Sequence, residues 1–318
     1  MKGKPFGVAM LVCATLIWGV AFVAQSVGMR YMGPFTFNAI RFLVGGIAVF
    51  AFILFIMPMR AKNGFSGAWR PSSGQHSRLL LKGGFACGIV LFVMITLQQV
   101  GICYTTVGKA GFITTLYILF VPISSIFLGR KIPFAVFICM IIAMVGMYLL
   151  CINEEFTLGK GDVYVLLSAV VAAVHILFIG HFSPLVDSVK LSCIQFFVCG
   201  ILSAICAYIF EPIDLTAIIG GCAPLLYAGL LSSGVAYTLQ TVGQREINPV
   251  VASLIFSLEA VFSALSGWII LGERLSAKEI SGCILIFVAI VMAQSPRLWM
   301  KISRKEEKNA AALFENDL

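Results

Sequence analysis

Charge is what this sequence is short of. Only 11% of its 318 residues are Asp, Glu, Lys or Arg, and 60% are hydrophobic. A soluble globular domain carries about 25% charged residues, so this chain has too little polar surface to cover itself in water and reads as an integral membrane protein. Signatures of hydrolytic and metal chemistry are also missing. There is no GxxxxGK[ST] loop to cradle phosphates, no HExxH and no DDxxD-like acidic cluster, and no cysteine falls in a CxxC or Cys/His spacing. Transport energy from ATP hydrolysed by this chain is therefore not expected, nor is a cofactor or a bound metal. The ten cysteines are scattered through or beside apolar runs and read as small packing residues.

Long apolar runs are what the sequence does have. A spanning helix needs roughly 20 mostly apolar residues, and ten such runs are predicted at 6–27, 35–57, 79–100, 106–127, 132–151, 161–182, 191–210, 220–241, 249–271 and 276–295. They are continuous, whereas a membrane β-barrel shows roughly ten-residue stretches of alternating polarity. The fold class is thus an all-α integral membrane protein with ten transmembrane helices. The first run follows Lys2 and Lys4 as a signal peptide would, but it holds Trp18 and no clear cleavage site, so it reads as a retained helix. The polar tail 296–318, ending "SRKEEKNAAALFENDL", reads as a dispensable cytoplasmic segment.

The net charge of +8 could suggest nucleic-acid binding, but its distribution argues for topology instead. With the N-terminus in the cytoplasm, 16 of the 22 Lys and Arg fall in inside loops and the tail, which puts both termini on the cytoplasmic side of the cell membrane by the positive-inside rule. Anionic lipid headgroups are the natural partners of that charge.

The chain also repeats itself. "RFLVGGI" at 41–47 matches "QFFVCGI" at 195–201, and "IFLGRKIPF" at 126–134 matches "IILGERLSA" at 269–277. Each half then holds five helices, over 1–151 and 161–295. Halves with an odd helix count must enter the membrane with opposite topology, and inverted repeats of this kind are a common plan of secondary transporters.

Four stretches carry a family resemblance over about 6–295. They are "ATLIWGVAFV" in the first run, "GPFTFNAIRF" entering the second, "AGFITTLYILFVPISSIFLGRK" in the fourth and "NPVVASLIFSLEAVFSALSGWIILGERLS" in the ninth. The sequence resembles the EamA-type transporters of the drug/metabolite transporter superfamily. It departs from the usual pattern at Arg130, where the family often has Glu, and at Pro122, which lies later than the common position. The resemblance implies transport of a small organic metabolite, such as an amino acid or a drug-like compound, often by efflux.

Polar residues inside apolar runs are the candidate site. Arg41 lies about six residues into the second run, roughly 9 Å below its end at 1.5 Å per residue. Its favoured reading is a cation snorkelling to the headgroups, which Lys could replace; the other is a cavity residue that takes a substrate carboxylate. Glu259 is the acidic residue deep in a run, where an isolated carboxylate costs at least a few kcal/mol. It reads either as a proton carrier or as a neutral acid bonding a neighbouring helix. His175, mid-run, is more often a packing residue than a relay. Gln98 and Gln99 end the third run, and one of them is predicted to face a cavity. Trp18 and Tyr117, with Phe22, Phe92, Phe178 and Tyr237, are candidates for an apolar pocket. Lys109 reads as snorkelling, Pro122 as a kink in the fourth helix, and Ser263 with Gly267 as a close helix contact.

These features predict a secondary transporter whose partners are a small-molecule substrate and membrane lipids, with no nucleic acid; a second copy of the chain is a further candidate partner. The alternative is a polytopic membrane enzyme such as a lipid-group transferase, which would need ionisable residues clustered near one interface. A passive channel would show rings of charge or re-entrant loops, and neither is visible.

Overall fold

The computed structural model describes residues 4–56, 74–105, 107–129, 134–151, 159–271 and 276–294. Among these residues every regular element is helical, as hydrocarbon demands: each backbone N–H and C=O must be satisfied within its own segment. Eight helices are long and apolar enough to cross a membrane, and a shorter apolar helix covers Val136–Leu149. Ten crossings were predicted. The tenth run does form a helix, Ala277–Gln294, but it is not among the eight. The tail from 296 and Arg130 lie outside the described residues, as do the side-chain surroundings of Lys109 and Gly267.

In chain order the helices are α1 (Lys4–Gly28), α2 (Pro34–Ala51), α3 (Gly74–Ile102), α4 (Val107–Thr115), α5 (Tyr117–Phe127), α6 (Phe134–Cys151), α7 (Lys160–Phe182), α8 (Ser188–Phe210) and α9 (Leu215–Gly220). There follow α10 (Cys222–Leu226), α11 (Tyr237–Gly243), α12 (Pro249–Phe256), α13 (Leu258–Leu271) and α14 (Ala277–Gln294). Tyr227–Ala236, between α10 and α11, is a π-helix, and a second π-helical stretch, Phe52–Ile56, follows α2.

Helix starts are chemically capped. Asp187 accepts from the N–H groups of Val189 (3.0 Å) and Lys190 (2.9 Å) at the start of α8, and Asn248 accepts from Val250 N–H (2.9 Å) before Pro249 opens α12. The start of α2 has Gly33 at the cap position and no side-chain cap of its own. Its orphan donors are met from across the bundle: Glu211, just past α8, accepts from Phe35 N–H (2.8 Å), Thr36 N–H (2.7 Å) and the Thr36 hydroxyl (2.7 Å). At their other ends the same two helices meet where the Cys193 thiol faces the Gly46 carbonyl at 3.8 Å. The pair is therefore antiparallel.

Two helices of similar sequence are interrupted at matching places. The chain turns at Leu116 between α4 and α5, and at Ser257 between α12 and α13. In both, a hydroxyl at or beside the break donates backwards: Thr115 to the Phe112 carbonyl (2.8 Å) and Ser257 to the Leu254 carbonyl (2.6 Å). Such back-bonding competes with the helical ladder and bends it. Pro122, the predicted kink, lies within the uninterrupted α5 instead, six positions after the break.

Close packing uses glycine where backbones meet. A Cβ at Gly45 would sit 2.9 Å from both the Gly229 oxygen and the Gly234 nitrogen, so α2 rests directly on the π segment. A Cβ at Gly7 of α1 would sit 3.1 Å from the Gly243 carbonyl and 3.0 Å from the Ile247 side chain. Beside it, Gly180 of α7 abuts Pro249 of α12, and these contacts close one end of the bundle. Phe262 and the Ser263 backbone nitrogen of α13 pack against Gly19 of α1.

Candidate functional site

A cavity of ≈ 550 Å³, open solvent at its mouth included, lies between α1, α2, α3, α4, α5, α7, the π segment, α11, α12 and α13. Its centre is Tyr237, the first residue after the π segment. Four rings meet it: Trp18 at 4.8 Å, Phe42 at 5.8 Å, His175 at 6.2 Å and Phe196 at 6.3 Å between centroids. Edge-on contacts at these separations are favourable geometry for aromatic pairs. The Trp18 indole N–H points at the Ser232 carbonyl within the π segment, at 3.4 Å. Phe256 joins the wall, 5.6 Å from Trp18 and 6.4 Å from Tyr117.

Arg41 does not snorkel. It is 2% exposed and lines the cavity. The Nε–H donates to Asn38 Oδ1 at 3.0 Å, and the guanidinium carbon lies 4.9 Å from the Phe42 ring centre and 5.6 Å from that of Phe37. Asn38 is anchored in turn by its amide N–H to the Ile95 carbonyl (3.3 Å). The i,i+3 spacing of Asn38 and Arg41 on α2 sets this pair. Nη2 is left without a hydrogen-bond partner among the described residues.

Glu259 sits in the first turn of α13, just beyond the Ser257 break, where the helix N-terminus favours negative charge. The Tyr117 hydroxyl, at the start of α5, donates to its Oε2 at 3.4 Å. The two interrupted helices thus meet through the side chains at their breaks. His175 Nε2 lies 3.1 Å from Gln195 Oε1; Gln195 is the residue that aligns with Arg41 in the repeat. Gln98 donates to the Thr114 hydroxyl at 3.2 Å, while its neighbour Gln99 turns away to the Gln25 carbonyl (3.5 Å).

All six residues singled out from the sequence, Glu259, His175, Arg41, Trp18, Gln98 and Tyr117, line this one cavity. Tyr237 does too, whereas Phe22, Phe92 and Phe178 do not. Sequence reasoning passed over Gln25 and Gln240. Both are buried and line the wall, and the argument used for Glu259, a polar group in hydrocarbon that needs a reason, applies to them equally.

The fold and this cavity define a polytopic membrane protein with a polar-lined cavity inside its helix bundle. The profile of the EamA-like transporter family matches residues 5–152 and 159–294. The chain belongs to that family, and hence to the drug/metabolite transporter superfamily. An uncharacterized transporter of Archaeoglobus fulgidus is 32% identical over 292 residues, covering 89% of this chain and 83% of that protein. The uncharacterized transporter YoaV of Bacillus subtilis is 22% identical over 288 residues, covering 89% and 94%. A solved crystal structure superimposes with a TM-score of 0.73 at 18% identity, over 92% of this chain and 97% of that one, a likeness of fold.

Proposed function

We propose that the cavity is the substrate site of a secondary transporter that moves a small organic metabolite, an amino acid or a drug-like compound, out of the cell. The observation that carries this reading is the composition of the wall. Arg41, Trp18, Gln98 and Tyr117 come from the first half of the chain, and His175, Tyr237 and Glu259 from the second. A site shared between two halves is what alternating access requires, because movement of one half against the other exposes the same residues to either side. The paired breaks at Leu116 and Ser257 support inverted five-helix repeats, since each interrupts the fourth helix of its half. In this reading both termini are cytoplasmic in the plasma membrane, and Glu259 carries the proton that couples transport to a pH gradient. The ionisable candidates line a chamber inside the bundle rather than gathering near one end, which favours transport over a lipid-group transferase.

The test is reconstitution into liposomes with a metabolite panel, with and without an imposed pH gradient. Accumulation of at least one solute above empty liposomes is expected. Absence of accumulation or exchange for every solute, with correctly inserted protein, would refute it.

A further inference from the structure

Two glutamines one helical turn apart on α11 and just beyond it form a relay whose direction is fixed. Gln244 Nε2 donates to the Ile176 backbone carbonyl at 3.0 Å. A carbonyl can only accept, so the nitrogen of Gln244 must face Ile176 and its oxygen must face away. Gln240 Nε2 donates to that oxygen at 3.0 Å. The remaining atom of the relay, Gln240 Oε1, has no hydrogen-bond partner among the described residues. Amide nitrogen and oxygen can usually be exchanged in a structure without penalty. Here they cannot be, because turning either amide would set two acceptors or two donors face to face.

Gln244 is 1% exposed and away from the wall, while Gln240 is 2% exposed and lines the cavity. Gln240 stands one turn beyond Tyr237, the hub of the aromatic cage. Arg41 Nη2, on the same cavity, is unpartnered in the opposite sense: it can only donate. Two residues of the wall thus each carry one buried, unpartnered polar atom, an acceptor of fixed orientation on Gln240 and a cationic donor on Arg41.

We propose that Gln240 is a specificity-determining residue: its Oε1 accepts a hydrogen bond from an ammonium or N–H group of a solute whose anionic group is held by Arg41, and Gln244 is the positioning residue that keeps the oxygen turned toward the cavity. This rests on the cavity being the solute site. The relay selects by chemistry as well as by fit. A solute lacking the donor leaves a buried acceptor unserved, and one presenting a carbonyl there meets oxygen with oxygen. Sites built to hydrogen-bond a solute group reject analogues without it far more strongly than apolar pockets reject a missing methylene.

Binding to purified full-length protein in detergent is measured by calorimetry for two series: leucine, isocaproate and ketoisocaproate; phenylalanine, hydrocinnamate and phenylpyruvate. In at least one series the wild type is expected to bind the amine on the order of 10-fold or more tighter than either partner acid. Gln240→Met should bring the amine and the desamino acid to within about threefold by weakening the amine alone. Gln244→Met frees the amide to turn, and should improve binding of the keto acid while the desamino acid is unchanged. Equal binding of amine and desamino acid by the wild type, no binding of either amine, or an unchanged ratio in Gln240→Met would overturn the proposal. If Gln240→Met does not fold, Gln244→Met decides, and unaltered keto-acid discrimination there overturns it. Selective binding without any counterflow in liposomes would instead refute the transport reading and leave the contact standing.

Discussion

Replacing Arg41 by Lys is the substitution on which the two readings of that residue diverge most. A cation reaching for headgroups tolerates Lys, since either flexible side chain delivers the charge. The guanidinium found here is used in three ways at once: Nε–H to Asn38, a face toward Phe42 and Phe37, and Nη2 toward the cavity. A lysine ammonium is a single point charge and cannot serve Asn38 and a solute through separate arms. Losing one hydrogen bond to a charged group costs about 1.5–3 kcal/mol, and weakening the ring contacts adds roughly 0.5–1 kcal/mol. Arg41→Lys should therefore weaken binding of an anionic solute by about 25- to 700-fold, at roughly 1.4 kcal/mol per factor of ten. Arg41→Met should lose binding to a similar degree, yet its thermal midpoint in detergent should be unchanged or raised. Removing a buried charge that lacks a counter-ion relieves its desolvation cost, which offsets the partner lost by Asn38. Calorimetric binding and a thermal-unfolding scan on the same samples test both halves. Near-wild-type affinity in Arg41→Lys, or a clear loss of stability in Arg41→Met with affinity retained, would refute the reasoning.

Further outcomes follow from the same geometry. Glu259→Gln should fold and still exchange solute for solute across liposomes, but lose accumulation driven by a pH gradient; full pH-driven accumulation would make the carboxyl a packing group. His175→Gln should have the smaller effect in the same assay, because an amide can still meet Gln195. Gly45→Val should lower the thermal midpoint by the equivalent of about 1–3 kcal/mol or more, since the new Cβ would meet opposing backbone, not a movable side chain, at 2.9 Å; an unchanged midpoint would mean α2 can move off the π segment. Cysteines introduced at the exposed positions Leu185 and Thr216 in a cysteine-depleted background should label from opposite sides of intact cells. Only Thr216→Cys should react with an impermeant reagent, and the reverse pattern would invert the topology.

The sequence was a good guide where one physical argument sufficed. Continuous apolar runs can only be helices in hydrocarbon, so helix positions were readable. Arg41, Glu259 and His175 stood out because a polar side chain in a membrane span is costly unless something inside the bundle answers it. The direction of Arg41 was not readable, because it depends on Asn38 being held by the Ile95 carbonyl of another helix. The breaks at Leu116 and Ser257 carry no proline or glycine. A hydroxyl donating to its own helix stands at each, but Ser253, Thr241 and Ser192 make such bonds inside unbroken helices, so a hydroxyl in the sequence does not announce a break. Gln240 looked like an ordinary polar residue near a helix end; its meaning lies in a relay that needs Ile176, distant in sequence, as its last member.

The π segment also makes the length of its helix a property distinct from its composition. Tyr227–Ala236 bonds with the wider i→i+5 spacing, so it holds more residues per turn than the α-helices around it. Deleting one residue there while the wide turns persist would rotate every later position by the angle of one residue, on the order of 80–100°. Everything beyond would swing with it, carrying Tyr237 and Gln240 off the cavity wall together and turning Gln244 away from Ile176. A substitution in the segment alters one contact, whereas a one-residue gap would misalign a whole face. Selection acting on this stretch would hold its residue count fixed even while the identities of its lipid-facing positions, such as Leu230 and Leu231, drift freely.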